Sequence, residues 1–95
     1  MSKQYAVYIL TNRRNGTLYV GVTGDLAARI DLHRSGAVPG FSKDHDLHRL
    51  VHVECFQDIE EAILREKRVK RWRRRWKIEL IEKGNPYWID LSDQV

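Results

Sequence analysis

The strongest constraint on the fold is a pair of short apolar segments near the start of the sequence. They read YAVYIL at residues 5–10 and LYVGV at residues 18–22, and both are rich in β-branched and aromatic side chains. Asn15-Gly16 lies in the polar stretch between them, and an Asn-Gly pair in this position is typical of a β-hairpin. The sequence therefore predicts two antiparallel strands joined by a tight turn.

The length of that turn decides which side chains share a face. If Asn15-Gly16 forms a two-residue type I′ turn, the residues that flank it pair, and Tyr8 and Tyr19 lie on the same face. A five-residue loop would separate the tyrosines, because a shift of one residue moves every side chain across the sheet. Gly21 is expected on the face of Tyr19, and a glycine inside a strand usually marks the close approach of a ligand or another backbone.

The rest of the chain alternates helical and extended patterns. In chain order these predict a helix over Leu26–Ser35 capped by Thr23 or Asp25, a loop over residues 37–48, a strand over Leu50–Phe56 and a helical C-terminal half. Along the third strand we expect Val51, Val53 and Cys55 on one side, with Cys55 as a small buried residue. No linker-like break interrupts the 95 residues, so we expect one domain over residues 1–95 with its chemistry on an open face.

Composition excludes several classes of protein. The N-terminus has no long apolar segment with a cleavage site, and no run of about 18 apolar residues is present, so the expected location is the cytoplasm. A single cysteine excludes an internal disulfide and a cysteine-cluster zinc site. Asp44, His45, Asp46 and His48 resemble a metal cluster, but they lie on no predicted helix or strand and no second ligand pair follows them.

The positive charge is concentrated in one segment, residues 65–77. It holds nine of the 17 Lys and Arg residues and one acid, a net charge of +8, whereas the rest of the chain has eight basic and twelve acidic residues and carries −4. This is typical of a protein that binds polyanions, because each neutralised phosphate releases a counterion. The alternative is a solvated helix face. Phosphate contacts are predicted at Arg65, Lys67, Arg68, Lys70, Arg71, Arg73, Arg74 and Lys77.

Two tryptophans belong to the same segment. Trp72 and Trp76 are four residues apart, a spacing that puts both indoles on one side of a helix. They are either core residues or platforms on which unpaired bases stack.

A polar pair lies at the edge of the first predicted helix. Arg29 and His33 are four residues apart, beside the core-facing stripe formed by Leu26 and Ile30. On its own such a pair is typical of a solvent-exposed helix surface without a specific function.

Glu66 is the anomaly of the helix that follows the third strand. Asp58 is expected to cap this helix, and apolar residues then recur at Ile59, Ala62 and Val69. This spacing places Glu66 on the core-facing side. An unpaired carboxylate is costly to bury, so Glu66 is expected to meet either an arginine, in a structural salt bridge, or a hard divalent metal ion.

Together these residues resemble the GIY-YIG nuclease family, in its compact single-domain bacterial branch. Ala6-Val7-Tyr8 is similar to the first motif and Tyr19-Val20-Gly21 to the second, and Arg29, His33 and Glu66 follow in the family's order. Alanine and valine replace the glycine and isoleucine of the first motif, and both changes are conservative. The resemblance covers nearly the whole chain, including the tail NPYWIDL.

The resemblance implies an α/β fold of the α+β type, with a small central three-stranded antiparallel sheet flanked by helices. It also implies hydrolysis of nucleic-acid phosphodiesters with Mg²⁺ or Mn²⁺ as cofactor. Glu66 would bind the metal and Arg29 would contact the non-bridging phosphate oxygens. The other site residues that it implies are Tyr8, Tyr19, His33, Gly21 and Asn85.

The chemistry explains why these residue types would be needed together. A tyrosine with a pKa of about 10 is a poor base at pH 7, and closing the gap requires roughly 4 kcal/mol of extra stabilisation of the phenolate. A neighbouring guanidinium and a divalent cation can supply it. Either Tyr8 or Tyr19 would activate water, and His33 would shuttle a proton or hold a tyrosine in place.

The predicted function is a metal-dependent DNA endonuclease of low sequence specificity, acting in DNA repair, recombination or uptake. It is expected to prefer single-stranded or structurally distorted DNA, branched DNA included. One alternative is a non-catalytic nucleic-acid-binding module that uses a basic helix over residues 65–77, but such a module has no reason to keep Glu66 on an apolar stripe. Another is a partner-binding module whose affinity, unlike phosphate-driven affinity, would persist at high salt.

Overall fold

The computed structural model describes residues 4–35 and 47–95, and in this part of the chain it has three strands and three α-helices. The strands form one antiparallel sheet with the first strand in the middle, which confirms the predicted α+β fold. The predicted loop and the metal-like cluster lie outside the described residues, except for residues 47 and 48. In chain order the elements are β1 (Tyr5–Thr11), β2 (Leu18–Thr23), α1 (Leu26–Ser35), β3 (Arg49–Phe56), α2 (Ile59–Arg71), α3 (Arg74–Gly84) and a short 3₁₀ helix (Ser92–Gln94).

The sheet is covered on both faces because side chains along β1 alternate between two clusters. Val7 and Ile9 pack in one cluster with residues of α2 and α3. Tyr8 and Leu10 pack in the other with Ile30 of α1. A strand covered on both sides needs a nearly continuous apolar run, and this is why β1 shows no polar alternation.

The hairpin between β1 and β2 has a longer loop than predicted. Tyr8 lies opposite Gly21 and Thr11 lies opposite Leu18, so residues 12–17 form the loop and the predicted two-residue turn is wrong. The pairing is displaced by two residues from the predicted one. An even displacement leaves every side chain on its face, and the prediction that the two tyrosines share a face is confirmed.

Side chains close this longer loop. The Asn12 carboxamide accepts a hydrogen bond from the Thr17 N–H at 3.1 Å, and Asn15 adopts a left-handed backbone with φ of 58°, which asparagine tolerates well. Arg74, at the start of α3, donates to the carbonyls of Asn15 and Gly16 at 2.6 Å each. The loop is therefore fixed by a residue that is distant in the sequence.

A β-bulge interrupts the pairing of β1 with β3. Ile9 lies opposite His52, but the next residue, Leu10, lies opposite Leu50, so Val51 is the extra residue. The bulge reverses the alternation of side chains along the strand at this point.

The bulge overturns the predicted facing of the third strand. Val51 packs in the cluster under α2 and α3, whereas Val53 packs on the side of α1. Cys55 is exposed near the end of β3, so the prediction that it is buried is also wrong. Strict alternation holds only where no residue is inserted.

Helix α1 follows the second strand after a short turn. The Asp25 carboxylate accepts a hydrogen bond from the Ala28 N–H at 3.2 Å and caps the helix. Its bounds match the prediction. Ile30 and His33 are the buried residues of this helix, so His33 lies against the sheet.

The basic segment is divided between two helices, so the predicted basic helix over residues 65–77 is wrong. Asp58 caps α2 as predicted, by accepting from the Glu60 N–H at 3.1 Å. Trp72 and Arg73 then have extended backbones with ψ of 146° and 154°. The break lets Trp72 pack against the core while α3 turns back to contact β3.

The tail after α3 is held against β3. Asn85 donates to the carbonyls of Val51 at 3.2 Å and Ile89 at 2.8 Å. The Asp90 carboxylate accepts from the Leu50 N–H at 3.1 Å, and Trp88 is fully buried. In the described ranges, no helix has the length and apolar character needed to cross a membrane.

Candidate active site

Two tyrosines and a histidine meet on the face of the sheet covered by α1. The ring centroids of Tyr8 and Tyr19 are 6.3 Å apart, and the His33 ring lies 5.9 Å from Tyr8 and 5.3 Å from Tyr19. The Tyr8 hydroxyl is 3.2 Å from Nε2 of His33. Three elements, β1, β2 and α1, thus bring together side chains predicted to form one site.

Gly21 makes room for the phenol of Tyr8. A Cβ atom at position 21 would come within 2.5 Å of both Cζ and the hydroxyl oxygen of Tyr8, too close for any unshifted structure. The group that approaches this glycine is a side chain of the same sheet rather than the expected ligand or backbone. Gly21 therefore fixes where the Tyr8 hydroxyl lies.

Burial controls the protonation of the cluster. The pKa of Tyr8 is raised well above its usual value, mainly because the phenol is buried and then because of Tyr19, while the Arg29 guanidinium acts in the opposite direction. The pKa of His33 is lowered by burial and by Arg29. At pH 7 Tyr8 consequently keeps its proton and His33 is neutral. Arg29 is close enough to influence both groups.

Glu66 acts electrostatically on this cluster from α2. The residue is 7% exposed, and its carboxylate is close enough to contribute to the raised pKa of Tyr8. Lys70 Nζ lies 2.7 Å from Oε1, so the ion-pair partner is a lysine one helical turn away rather than an arginine. Within residues 4–35 and 47–95, no donor makes a hydrogen bond of good geometry to Oε1.

This carboxylate suits one kind of metal site. The described residues contain no group of three or more His, Cys, Asp or Glu side chains that could hold an ion, so they form no all-protein cage. Mg²⁺ commonly binds through one or two carboxylates and completes its shell with water and substrate phosphate. Glu66 fits a metal held in that way, because its buried Oε1 has no well-formed hydrogen bond from any described residue, although Lys70 lies beside it.

Comparison with known proteins gives the family of this chain. The family model of the GIY-YIG catalytic domain matches residues 4–79. The chain belongs to the GIY-YIG nuclease family. A UPF0213 protein of Staphylococcus saprophyticus is 34% identical over 84 residues, 88% of this chain and 100% of that protein. A UPF0213 protein of Staphylococcus haemolyticus is 37% identical over 82 residues, 86% and 98% of the two chains.

A solved structure supports the same assignment. The solution NMR structure of a UPF0213 protein from Bacillus halodurans is 37% identical, covers 90% of both chains and has a TM-score of 0.56. The GIY-YIG match includes Tyr8, Tyr19, Arg29, His33 and Glu66 and ends within α3. The individual roles of these residues stay predictions.

Three of the predicted phosphate-binding residues already have partners within this GIY-YIG domain. Arg65 donates to both oxygens of Glu54, at 2.8 and 3.0 Å. Lys70 pairs with Glu66, and Arg74 is bound to the hairpin loop. These cations hold the fold or the site together.

The other predicted phosphate ligands are more accessible. Lys67, Arg68, Arg71 and Arg73 are exposed. Lys77 is half-buried, and burial together with the neighbouring Arg74 lowers its pKa. The accessible charge therefore lies on the outer side of α2 and at the break before α3.

Asn85 is buried, and its hydrogen bonds go to the backbone of β3 and of the tail rather than to the GIY-YIG motif residues. Its amide nitrogen and oxygen bind the backbones of Val51 and Ile89, so it connects the tail to β3.

The Glu66–Lys70 ion pair was missed at the level of sequence. Lys70 was predicted only to bind phosphate, although a lysine four residues after a glutamate is typical of a helical ion pair.

Proposed function

We propose that this protein is a divalent-metal-dependent endonuclease that hydrolyses phosphodiester bonds of DNA. The observation that carries the proposal is the contact of two phenols with an imidazole, with the Arg29 guanidinium and the buried Glu66 carboxylate close enough to act on the pKa of Tyr8. Membership of the GIY-YIG nuclease family supports it. The predicted setting remains the cytoplasm and DNA repair, recombination or uptake.

The proposed reaction needs a base for water and stabilisation of charge on the phosphorus centre. Glu66 would hold Mg²⁺ or Mn²⁺, which when bound stabilises negative charge on the phosphate oxygens. The Arg29 guanidinium would bind the non-bridging oxygens, as its planar fork suits them. Both cationic groups would therefore act on the same phosphate.

The different burial of the two tyrosines ranks their roles. Tyr8 is 1% exposed and keeps its proton, so it would act as a hydrogen-bond donor held in place by Gly21 and His33. Tyr19 is half-buried, so it can contact an attacking water, and we assign it the role of accepting the water's proton. Neutral His33 would accept the phenolic proton that Tyr19 gives up when it takes the proton of the water.

Cleavage assays would test this assignment. Single-stranded, duplex and branched oligonucleotides should be incubated with Mg²⁺, Mn²⁺ or a chelator, and single-stranded or branched DNA should be cut fastest. Tyr19→Phe should reduce kcat by about 10²-fold or more, the usual contribution of a general base, and Tyr8→Phe should reduce it less. Strict duplex sequence specificity would contradict the proposed preference.

Controls separate a nuclease from a non-catalytic binding module. Glu61→Gln changes an exposed carboxylate of the same helix and should leave the rate unchanged. A protein that binds every oligonucleotide but cuts none with either metal would be a binding module. Cleavage that survives the chelator would refute the metal dependence.

A further inference from the structure

A groove lies beside the break between α2 and α3. Its volume is about 390 Å³, and it is lined by Trp72, Trp76, Leu80, Glu79 and Lys83. The two indoles contact edge to face with centroids 6.2 Å apart. None of the five belongs to the tyrosine cluster, so the groove is a separate feature of the surface.

Packing explains one indole but not the other. Trp72 is half-buried against the core beneath α2 and α3. Trp76 is 46% exposed and extends the apolar surface of Trp72 and Leu80 outwards. Grouped exposed apolar surface of this kind indicates a binding site more often than a packing need.

Charge around the groove favours an anionic occupant. The Arg73 guanidinium lies 5.0 Å from the ring centre of Trp76, and Lys83 forms part of the wall. Glu79, the acid of the lining, is paired with Arg75 at 3.3 Å. An aromatic surface bordered by cations suits a ligand that carries a flat ring and a phosphate, as a nucleotide does.

Helix geometry connects the groove to Glu66. Trp72 follows Glu66 by six residues, about 9 Å along the helix axis, and successive residues turn by about 100°. The core side of α2 in the angular sector between Glu66 and Trp72 carries the buried Ala62 and Val69. The solvent side carries Lys70, which is paired with Glu66, and then the exposed cations Lys67, Arg71 and Arg68 in angular order.

We propose that the Trp72–Trp76 groove binds an unpaired base of single-stranded DNA whose backbone crosses the solvent side of α2. This inference rests on the proposed nuclease function, because it names the part of the substrate that lies away from the cut phosphate. It assigns stacking to the indoles and phosphate binding to the cations between the groove and Glu66. The stacking surface would favour single-stranded over duplex DNA.

Binding in the presence of a chelator tests the groove without cleavage. The probe is a fluorescein-labelled oligothymidylate, followed by anisotropy and by quenching of tryptophan fluorescence. Trp76→Ala should weaken binding by about tenfold, within the range measured for loss of one stacked base. The salt dependence should stay the same, because no charge is removed. Trp76→Phe should recover part of the affinity.

Matched controls identify the base as the ligand. Tyr87→Ala removes an aromatic side chain that is 75% exposed and outside the groove, and it should not change binding. Trp76→Ala should have no effect on an oligonucleotide whose sugars lack bases. Equal losses on the base-free and normal oligonucleotides would overturn the proposal, as would unchanged affinity for oligothymidylate. Binding of an acidic peptide that depends on Trp76, without any effect on DNA, would overturn it in favour of a protein partner.

The two proposals can fail separately. A wild-type protein that cuts DNA, but whose Trp76→Ala variant binds oligothymidylate normally, refutes the groove and keeps the nuclease. A protein that cuts no DNA but binds oligothymidylate through Trp76 refutes the nuclease and keeps the groove. A thermal melt of each variant checks that the fold is retained.

Discussion

Two carboxylates at the junction of helix and sheet have opposite surroundings. Glu54 on β3 is 2.7 Å from His52 Nε2 and accepts two hydrogen bonds from Arg65. The hydrogen bond with His52 is the main cause that lowers the pKa of Glu54 to about 2, and Arg65 adds to it. Glu66, the next residue after Arg65, has a buried oxygen without a hydrogen bond in the described part of the chain. Adjacent residues of α2 thus belong to two kinds of ion pair. The Arg65–Glu54 pair is closed, because hydrogen bonds satisfy its carboxylate, and the Lys70–Glu66 pair is open, because Oε1 has no well-formed hydrogen bond from a described residue.

The difference supports a structural role for Glu54 and the proposed metal-binding role for Glu66. Buried polar atoms are nearly always hydrogen-bonded within the fold, so Glu54 needs no ligand to account for it. Among residues 4–35 and 47–95, the ion-pair partner of Glu66 is the exposed Lys70. Under the proposed function, a divalent cation would compete with Lys70 for this carboxylate.

Exchanging each carboxylate for its amide should affect cleavage at Glu66 and stability at Glu54. The loss of cleavage in the Glu66 variant is the largest effect that we expect. Glu66→Gln should reduce DNA cleavage by at least about 10²-fold, the scale of losing one electrostatic contact in a transition state, and should lower stability by no more than about 1 kcal/mol, the loss of one ion pair with an exposed lysine. Glu54→Gln should lower the melting temperature and change kcat by no more than a few-fold. Initial rates and thermal melts on both variants measure this. Metal-dependent cleavage that survives in Glu66→Gln would remove Glu66 from the site.

The packing of Tyr8 against Gly21 should not tolerate a larger side chain at position 21. Gly21→Ala places a Cβ about 2.5 Å from the Tyr8 hydroxyl, so Tyr8 must move, at a cost of about 1–3 kcal/mol in stability and a clear loss of cleavage. Gly84→Ala is the matched control, because nothing lies within 4 Å of its added Cβ. Denaturant melts and cleavage rates compare them. Equal behaviour of the two variants would mean that the position of Tyr8 does not matter.

Local patterns predicted much of this arrangement. The parity of the hairpin was enough to place Tyr8 and Tyr19 together, and the apolar spacing of α2 was enough to mark Glu66 as core-facing. The loop length could not be predicted, because Arg74, which stabilises the loop, is far away in the sequence. The extra residue Val51 likewise depends on pairing between distant strands.

The partners of charged residues were the least predictable part of the site. Within the basic segment, Arg65 and Lys70 look alike in sequence, yet one binds Glu54 and the other Glu66. The choice depends on which way each residue of α2 points relative to the strands. The helix break at Trp72 then decides which of the later cations are exposed.

The closed ion pair should control stability in acid. Because the pKa of Glu54 is lowered to about 2 in the folded state, its contribution is fully present above the unfolded value near 4.5 and is lost as the pH falls towards 2. We expect a contribution on the order of 1–2 kcal/mol, since the pair is partly solvated. Urea melts between pH 2 and 7 would show a smaller acid loss for Glu54→Gln, and Glu79→Gln, in an exposed pair, should behave as wild type.

Removing the lysine beside Glu66 should produce the smallest effects, in opposite directions for the fold and the metal. Lys70→Met keeps the aliphatic stem but removes the charge 2.7 Å from Oε1, so the metal-free protein should lose up to about 1 kcal/mol, the upper range for an ion pair whose lysine is exposed to solvent. A divalent ion then no longer competes with the lysine and should bind a few-fold more tightly. Titration with Mn²⁺, followed by electron paramagnetic resonance, measures that affinity directly, and the metal-induced rise in melting temperature provides a second measure. Lys67→Met, which removes an exposed charge one residue after Glu66, is the control. If both variants bind Mn²⁺ as the wild type does, Lys70 does not compete with the metal for Glu66.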